Sequence, residues 1–75
     1  MGRARLRVAI TPQDVGSRVS LRQHDDAGGY TDVVGQLEGW SNGQLRVRRR
    51  DGQAVTVAEA ALVAGKVVPP PPARR

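Results

Sequence analysis

The chain has 75 residues, enough for one domain and too few for a sizeable core; a domain of that length buries only about 60% of the surface its unfolded chain exposes. It has no cysteine, which excludes a disulfide framework, a thiolate nucleophile and a Cys-based zinc site. The formal charge is +5, from 12 basic residues of which all but Lys66 are arginine, a balance that attracts polyanions without dictating a fold.

Met1-Gly2-Arg3 is basic, but no apolar stretch of signal-peptide length follows it. No run approaches the roughly 20 apolar residues of a membrane span. A soluble cytoplasmic protein with no membrane partner is therefore expected. Residues 1–9 alternate arginine with apolar residues, which suits either an edge strand or a disordered basic arm. In Thr11-Pro12-Gln13-Asp14-Val15-Gly16, Thr11 can cap, Pro12 fits a first helical position and Gly16 ends the turn. One helical or 3₁₀ turn is predicted there.

A first strand follows over Arg18 to Gln23, with Val19 and Leu21 inward, and His24 to Gly29 reads as a mobile polar loop. Tyr30 to Val57 organises the rest as three antiparallel strands joined by two tight turns. Val33, Leu37, Leu45, Val47, Val55 and Val57 lie on one face, and Glu38, Arg46, Arg48 and Thr56 on the other. The second strand, about Tyr30 to Trp40, is long, so Gly35 and Gly39 predict a bend or bulge that buries both Val33 and Val34.

Register decides the turns, because a slip of one residue moves every side chain to the other face. A three-residue loop, Arg50 to Gly52, pairs Val47 with Val55 and Leu45 with Val57, and puts Gly52 at the left-handed position. Ser41-Asn42-Gly43 read the same way pairs Leu37 with Val47 and leaves Trp40 beside Gln44, partly exposed; a two-residue Asn42-Gly43 turn would instead set Trp40 against Leu45. Val57 to Ala61 suits one more turn, Leu62 to Val68 a closing strand, and Pro69 to Pro72 an extended linker. The expected fold is an all-β, five-stranded antiparallel SH3-like barrel over residues 10–68. Its core should hold Ile10 or Val15, then Val19, Leu21, Val33, Leu37, Leu45, Val47, Val55, Val57, Leu62 and Val67.

Little here supports catalysis. His24 is the one histidine, and with Asp25 and Asp26 it makes a weak general-base or metal set in a loop. Arg49 to Ala54 matches the Arg-x-x-Gly-x-Ala spacing that cradles coenzyme A pyrophosphate in acetyltransferases. That motif leads into a helix, whereas here alternating valines on both sides make it a hairpin. Pro69 to Arg74 fits a PxxP-plus-Arg pattern, read as linker. No catalytic residue, metal or cofactor is expected. The candidate interaction surface is Tyr30, Trp40, Arg46, Arg48 and Arg50.

Asp14-Val15-Gly16, Gly29 to Gly35, Arg48 to Gly52 and Val63 to Pro70 together resemble the SH3-like domain at the N-terminus of actinobacterial GNAT-type acetyltransferases. The resemblance covers about Ile10 to Pro72. It implies a non-catalytic accessory domain, with the acetyl-CoA-binding domain beyond the proline run, and does not imply what the barrel does; docking on that downstream acetyltransferase domain or another protein is the expected role. A second resemblance joins Gly35 to Trp40 with the G-x-L-x-G-aromatic segment of Sm-like RNA-binding barrels, and Val63-Ala64-Gly65 with their Ile-Arg-Gly. Ser41 stands for the usual Asp, Ala64 for the Arg, and no long N-terminal helix is present, which ranks it second. It implies a freestanding barrel holding single-stranded nucleic acid weakly through Trp40 with Arg46, Arg48 and Arg50.

Overall fold

The computed structural model describes residues 7–69. Its strands are β1 (Arg18–His24), β2 (Tyr30–Ser41), β3 (Gln44–Arg49), β4 (Ala54–Ala58) and β5 (Leu62–Val67). All five join one antiparallel sheet in the order β4-β3-β2-β1-β5. Two 3₁₀ turns, Pro12–Asp14 and Glu59–Ala61, come before β1 and β5. The first is closed by a reciprocal cap: Thr11 Oγ1 accepts from the Gln13 N–H at 3.2 Å, and Asp14 Oδ2 accepts from the Thr11 N–H at 2.9 Å. The fold is all-β, as the alternation predicts.

Period-two patterning sorts the side chains. Val19, Leu21, Val33, Leu37, Leu45, Val47 and Val57 are buried together with Ile10, and Trp40, Val55 and Leu62 pack half-buried against them. One cluster drawing on β1 to β4 requires the sheet to bend over its own apolar face.

One alternative about the core is resolved and two expectations need correction. Ile10 is the inward residue of its pair, and Val15 is 43% exposed. Val67 is 47% exposed although it stands opposite Val19, because it ends β5 at the open edge of the core. The β5 position that faces Leu21 is Gly65, and Ile10 packs over it: a Cβ there would lie 3.1 Å from Leu21 Cδ2 and 3.2 Å from Ile10 Cδ1. Val34 is also exposed, since alternation runs unbroken through a buried Gly35. Gly35 is glycine because β3 leaves no room for a side chain. A Cβ would overlap the Arg48 carbonyl oxygen and come within 2.8 Å of Val47 Cγ1.

The β3–β4 connection is the expected three-residue loop. Val47 pairs with Val55, Leu45 with Val57, and Gly52 has φ of 93°. The β2–β3 connection differs from expectation. Ser41 pairs with Gln44, so the turn is the two-residue Asn42-Gly43, with φ of 52° and 75°, as a primed hairpin turn demands. Leu37 still pairs with Val47, because a bulge at Glu38–Gly39 sets both residues opposite Arg46. That bulge supplies the one-residue offset a longer turn was expected to supply. It also brings Trp40 opposite Leu45, on the core side.

His24 belongs to β1 and pairs with Tyr30, so the loop is shorter than expected. Asp25 organises it: Oδ1 accepts from the Ala27 and Gly29 N–H groups, each at 2.9 Å, and Oδ2 from Thr31 Oγ1 at 3.2 Å. At the other margin Val8 makes a parallel bridge to Gly65, whose N–H donates to Arg7 O at 3.1 Å. Residues 7–9 thus cover the edge of β5. The first part of the basic arm and the run from Pro70 onward lie outside the described residues.

Candidate functional site

The five residues singled out from the sequence do not form one surface. Tyr30 opens β2, half exposed, with its ring 5.4 Å from that of His24 and the Arg22 guanidinium 5.8 Å from its centroid. Trp40 lies near the other end of the same 12-residue strand, turned toward the core, and its Nε1 donates to Glu59 Oε1 at 2.9 Å. Arg46 and Arg48 point outward and converge on Glu38, at 3.5 Å and 3.0 Å. The bulge explains this, since it holds Glu38 between them. Arg48 also donates to Gly52 O at 2.9 Å, which braces the β3–β4 turn.

The hydrogen bond from Arg48, with the charges of Arg48 and Arg46, holds the Glu38 carboxyl below the usual carboxylate range. Asp32 is lowered likewise by Arg22, whose Nε and Nη2 donate to it at 2.8 Å and 3.1 Å. Asp25 is lowered by the N–H groups of Gly29 and Ala27 and by the Thr31 hydroxyl. These three carboxylates serve structure. Among the described residues no group of three His, Cys, Asp or Glu could hold a metal ion. Arg49 to Ala54 stays in its hairpin, with the Gly52 N–H donating to Arg49 O at 2.9 Å; β4, not a helix, follows it.

A concavity lies elsewhere, where the start of β1, the middle of β2, the β3–β4 turn and the end of β5 converge. It is a groove of about 710 Å³, within the range of ligand sites. Val34, Val67, Val68 and Pro69 give it an aliphatic surface, and Arg18, Arg48, Arg49 and Arg50 bring positive charge. Among the described residues no carboxylate and no aromatic ring lines it. Among the described residues the ion pairs engage Arg22, Arg46 and Arg48, and leave Arg18, Arg49 and Arg50 outside them. Arg48 and Arg50 were legible in the sequence. Arg18, Arg49 and the exposed valines were missed, though three consecutive arginines at a hairpin turn were a usable signal. A second concavity, of about 410 Å³ between residues 7–9 and the β1–β5 pair, is lined by Arg7, Arg22 and Lys66 but also by Asp32.

A single sheet of five antiparallel strands, with a 3₁₀ turn before its first and last strands and a groove at one margin, defines a small all-β domain. One family model, described as the Rv0428c N-terminal Sm-like domain, matches residues 13–66, well over half of the chain, and the chain belongs to that family. No curated protein and no solved structure matches it. Rv0428c is a GNAT-family acetyltransferase-associated protein, so the acetyltransferase context comes through the family name alone. The first resemblance thus stands in its coarser part, an N-terminal domain of Rv0428c-type proteins with the expected all-β fold, and the family describes that fold as Sm-like, the name carried by the second.

Proposed function

We propose that the domain is a non-catalytic accessory module of a GNAT-type acetyltransferase and that it works in the cytoplasm by docking on protein. The observation that carries this is the groove: an aliphatic concavity with a basic rim, whose wall, among the described residues, holds Ser17 as its one hydroxyl and no histidine or carboxylate to activate it. Support also comes from the family name and from the lone imidazole, which packs on Tyr30. The hairpin context of Arg49 to Ala54 argues against pyrophosphate binding, since no helix N-terminus faces it. Acetyl-CoA titrated into isotopically labelled protein is expected to leave the Gly52 and Arg49 amides unmoved. A saturable shift there overturns the reading.

Single-stranded nucleic acid is the second reading, favoured by the Sm-like name of the family. Its constellation is weakened by geometry. Trp40 faces the core while Arg46 and Arg48 face out and share Glu38. Anisotropy of a short labelled RNA is expected to show only weak binding that fades between about 50 and 200 mM salt. Tight binding lost on Trp40→Ala would promote this reading over the first.

A further inference from the structure

We infer that the groove receives an extended peptide segment in which carboxylates alternate with aliphatic side chains. The inference rests on the accessory-module reading and names the chemistry of its partner. Val34 and Val67 are exposed and Val68 is half-buried. They converge from two strands and the residue after β5 into one concavity, and contiguous apolar surface of this kind marks a site of contact. Around it stand Arg18, Arg49 and Arg50, outside every ion pair among the described residues. A guanidinium is suited to bidentate contact with a carboxylate.

Charge selects among occupants. Both ends of the chain are basic, with Arg3, Arg5, Arg74 and Arg75, and a second copy would bring another +5; like charge disfavours both. Nucleic acid has the right sign. Without base readout, however, single strands are held by stacking on aromatic rings, and this groove has none. An acidic, aliphatic peptide satisfies both halves of the surface. In extended form it presents its two kinds of side chain on opposite sides, one toward the valines and one toward the rim or solvent.

The test uses the whole 75-residue chain and a fluorescein-labelled peptide of about ten residues alternating Glu with Val, long enough to span the groove at roughly 3.3 Å per residue. Saturable binding is expected, with amide shifts at Gly16, Gly35, Arg50 and Val68. It should weaken by about tenfold or more in the double variant Arg49→Glu, Arg50→Glu, and by a few-fold in Val34→Ser. Both changes are at exposed positions, and thermal melts check that the fold persists. A Lys-Val peptide of the same length should not bind. Absence of saturation below millimolar peptide, shifts confined to other faces, unchanged affinity in the double variant, or tighter binding of an oligouridylate of equal length would each overturn the assignment. Acetyl-CoA in a parallel titration separates the two proposals: a shift at Gly52 sinks the accessory reading, whereas a silent acetyl-CoA and a silent peptide sink only the groove assignment.

Discussion

The indole N–H of Trp40 donates to the carboxylate of Glu59 at 2.9 Å, pinning the end of β2 to the 3₁₀ turn between β4 and β5. The Glu59 N–H donates to Gly43 O at 2.8 Å and closes the same corner. One glutamate thus joins the β2–β3 turn, the tryptophan and the entry to β5. Trp40→Phe keeps most of the packing and loses the donor, so it should cost about 0.5–1.5 kcal/mol. Trp40→Ala should cost about 2–3 kcal/mol, short of a fully buried ring. Glu59→Gln retains an acceptor and should restore most of the wild-type denaturation midpoint relative to Glu59→Ala. Equal urea midpoints for the two Glu59 variants would count against the hydrogen bond.

Gly35 and Gly39 lie four positions apart in β2 and should answer oppositely to alanine. A Cβ on Gly35 meets the backbone of Arg48, which cannot yield without parting β2 from β3, whereas one on Gly39 meets nothing within 4 Å. Gly35→Ala should destabilise by about 2–4 kcal/mol, toward the upper end of overpacking effects. Gly39→Ala should stay within about 0.5 kcal/mol of wild type. In a domain with roughly 5 kcal/mol to lose, the first variant should show loss of cooperative thermal unfolding. Similar melts for both would refute the assigned close approach.

The Asn42-Gly43 turn makes a prediction about the trade between turn and bulge. Both residues have positive φ, and a residue with a Cβ at Gly43 costs roughly 1–2 kcal/mol there. Asn42→Gly should be nearly neutral, and Gly43→Val clearly destabilising in chemical denaturation. If Gly43→Val melts like wild type, the two-residue turn is wrong and the longer loop read from the sequence returns.

Acid should unfold the domain through three carboxylates. Glu38, Asp32 and Asp25 are each held below the ordinary range in the folded state, by Arg48, by Arg22 and by the Gly29 N–H respectively. A depressed folded value stabilises at pH above the unfolded one, near 4 for these groups, and that contribution is lost as pH falls toward the folded values. The melting temperature should therefore hold from about pH 7 to 5 and drop below about pH 4. The variant combining Glu38→Gln, Asp32→Asn and Asp25→Asn should lose less on the same descent. The Glu38 and Asp32 ion pairs are open to solvent, so their share of the effect should shrink in high salt, while that of Asp25, held by backbone N–H groups, should not. Parallel curves for variant and wild type would remove these groups as the cause.

Strand alternation, turn residues and the absence of long apolar or helical periodicity were enough to specify five strands, two 3₁₀ turns and most of the core. The Arg50–Gly52 loop was legible because only one register put Val47 and Val55 on the same face. The same reasoning failed at Asn42-Gly43, because a bulge at Glu38–Gly39 restores the Leu37–Val47 pairing after a shorter turn, and pattern counting cannot tell where an extra residue is absorbed. From that one displacement follow the inward Trp40, the shared Glu38 and the separation of the residues expected to form one surface. The groove, too, was decided by tertiary structure. Arg18, Val34, Arg49 and Val67 are distant in sequence and meet only through strand pairing, which sets Arg18 opposite Gln36, Arg49 opposite Gly35 and Val67 opposite Val19.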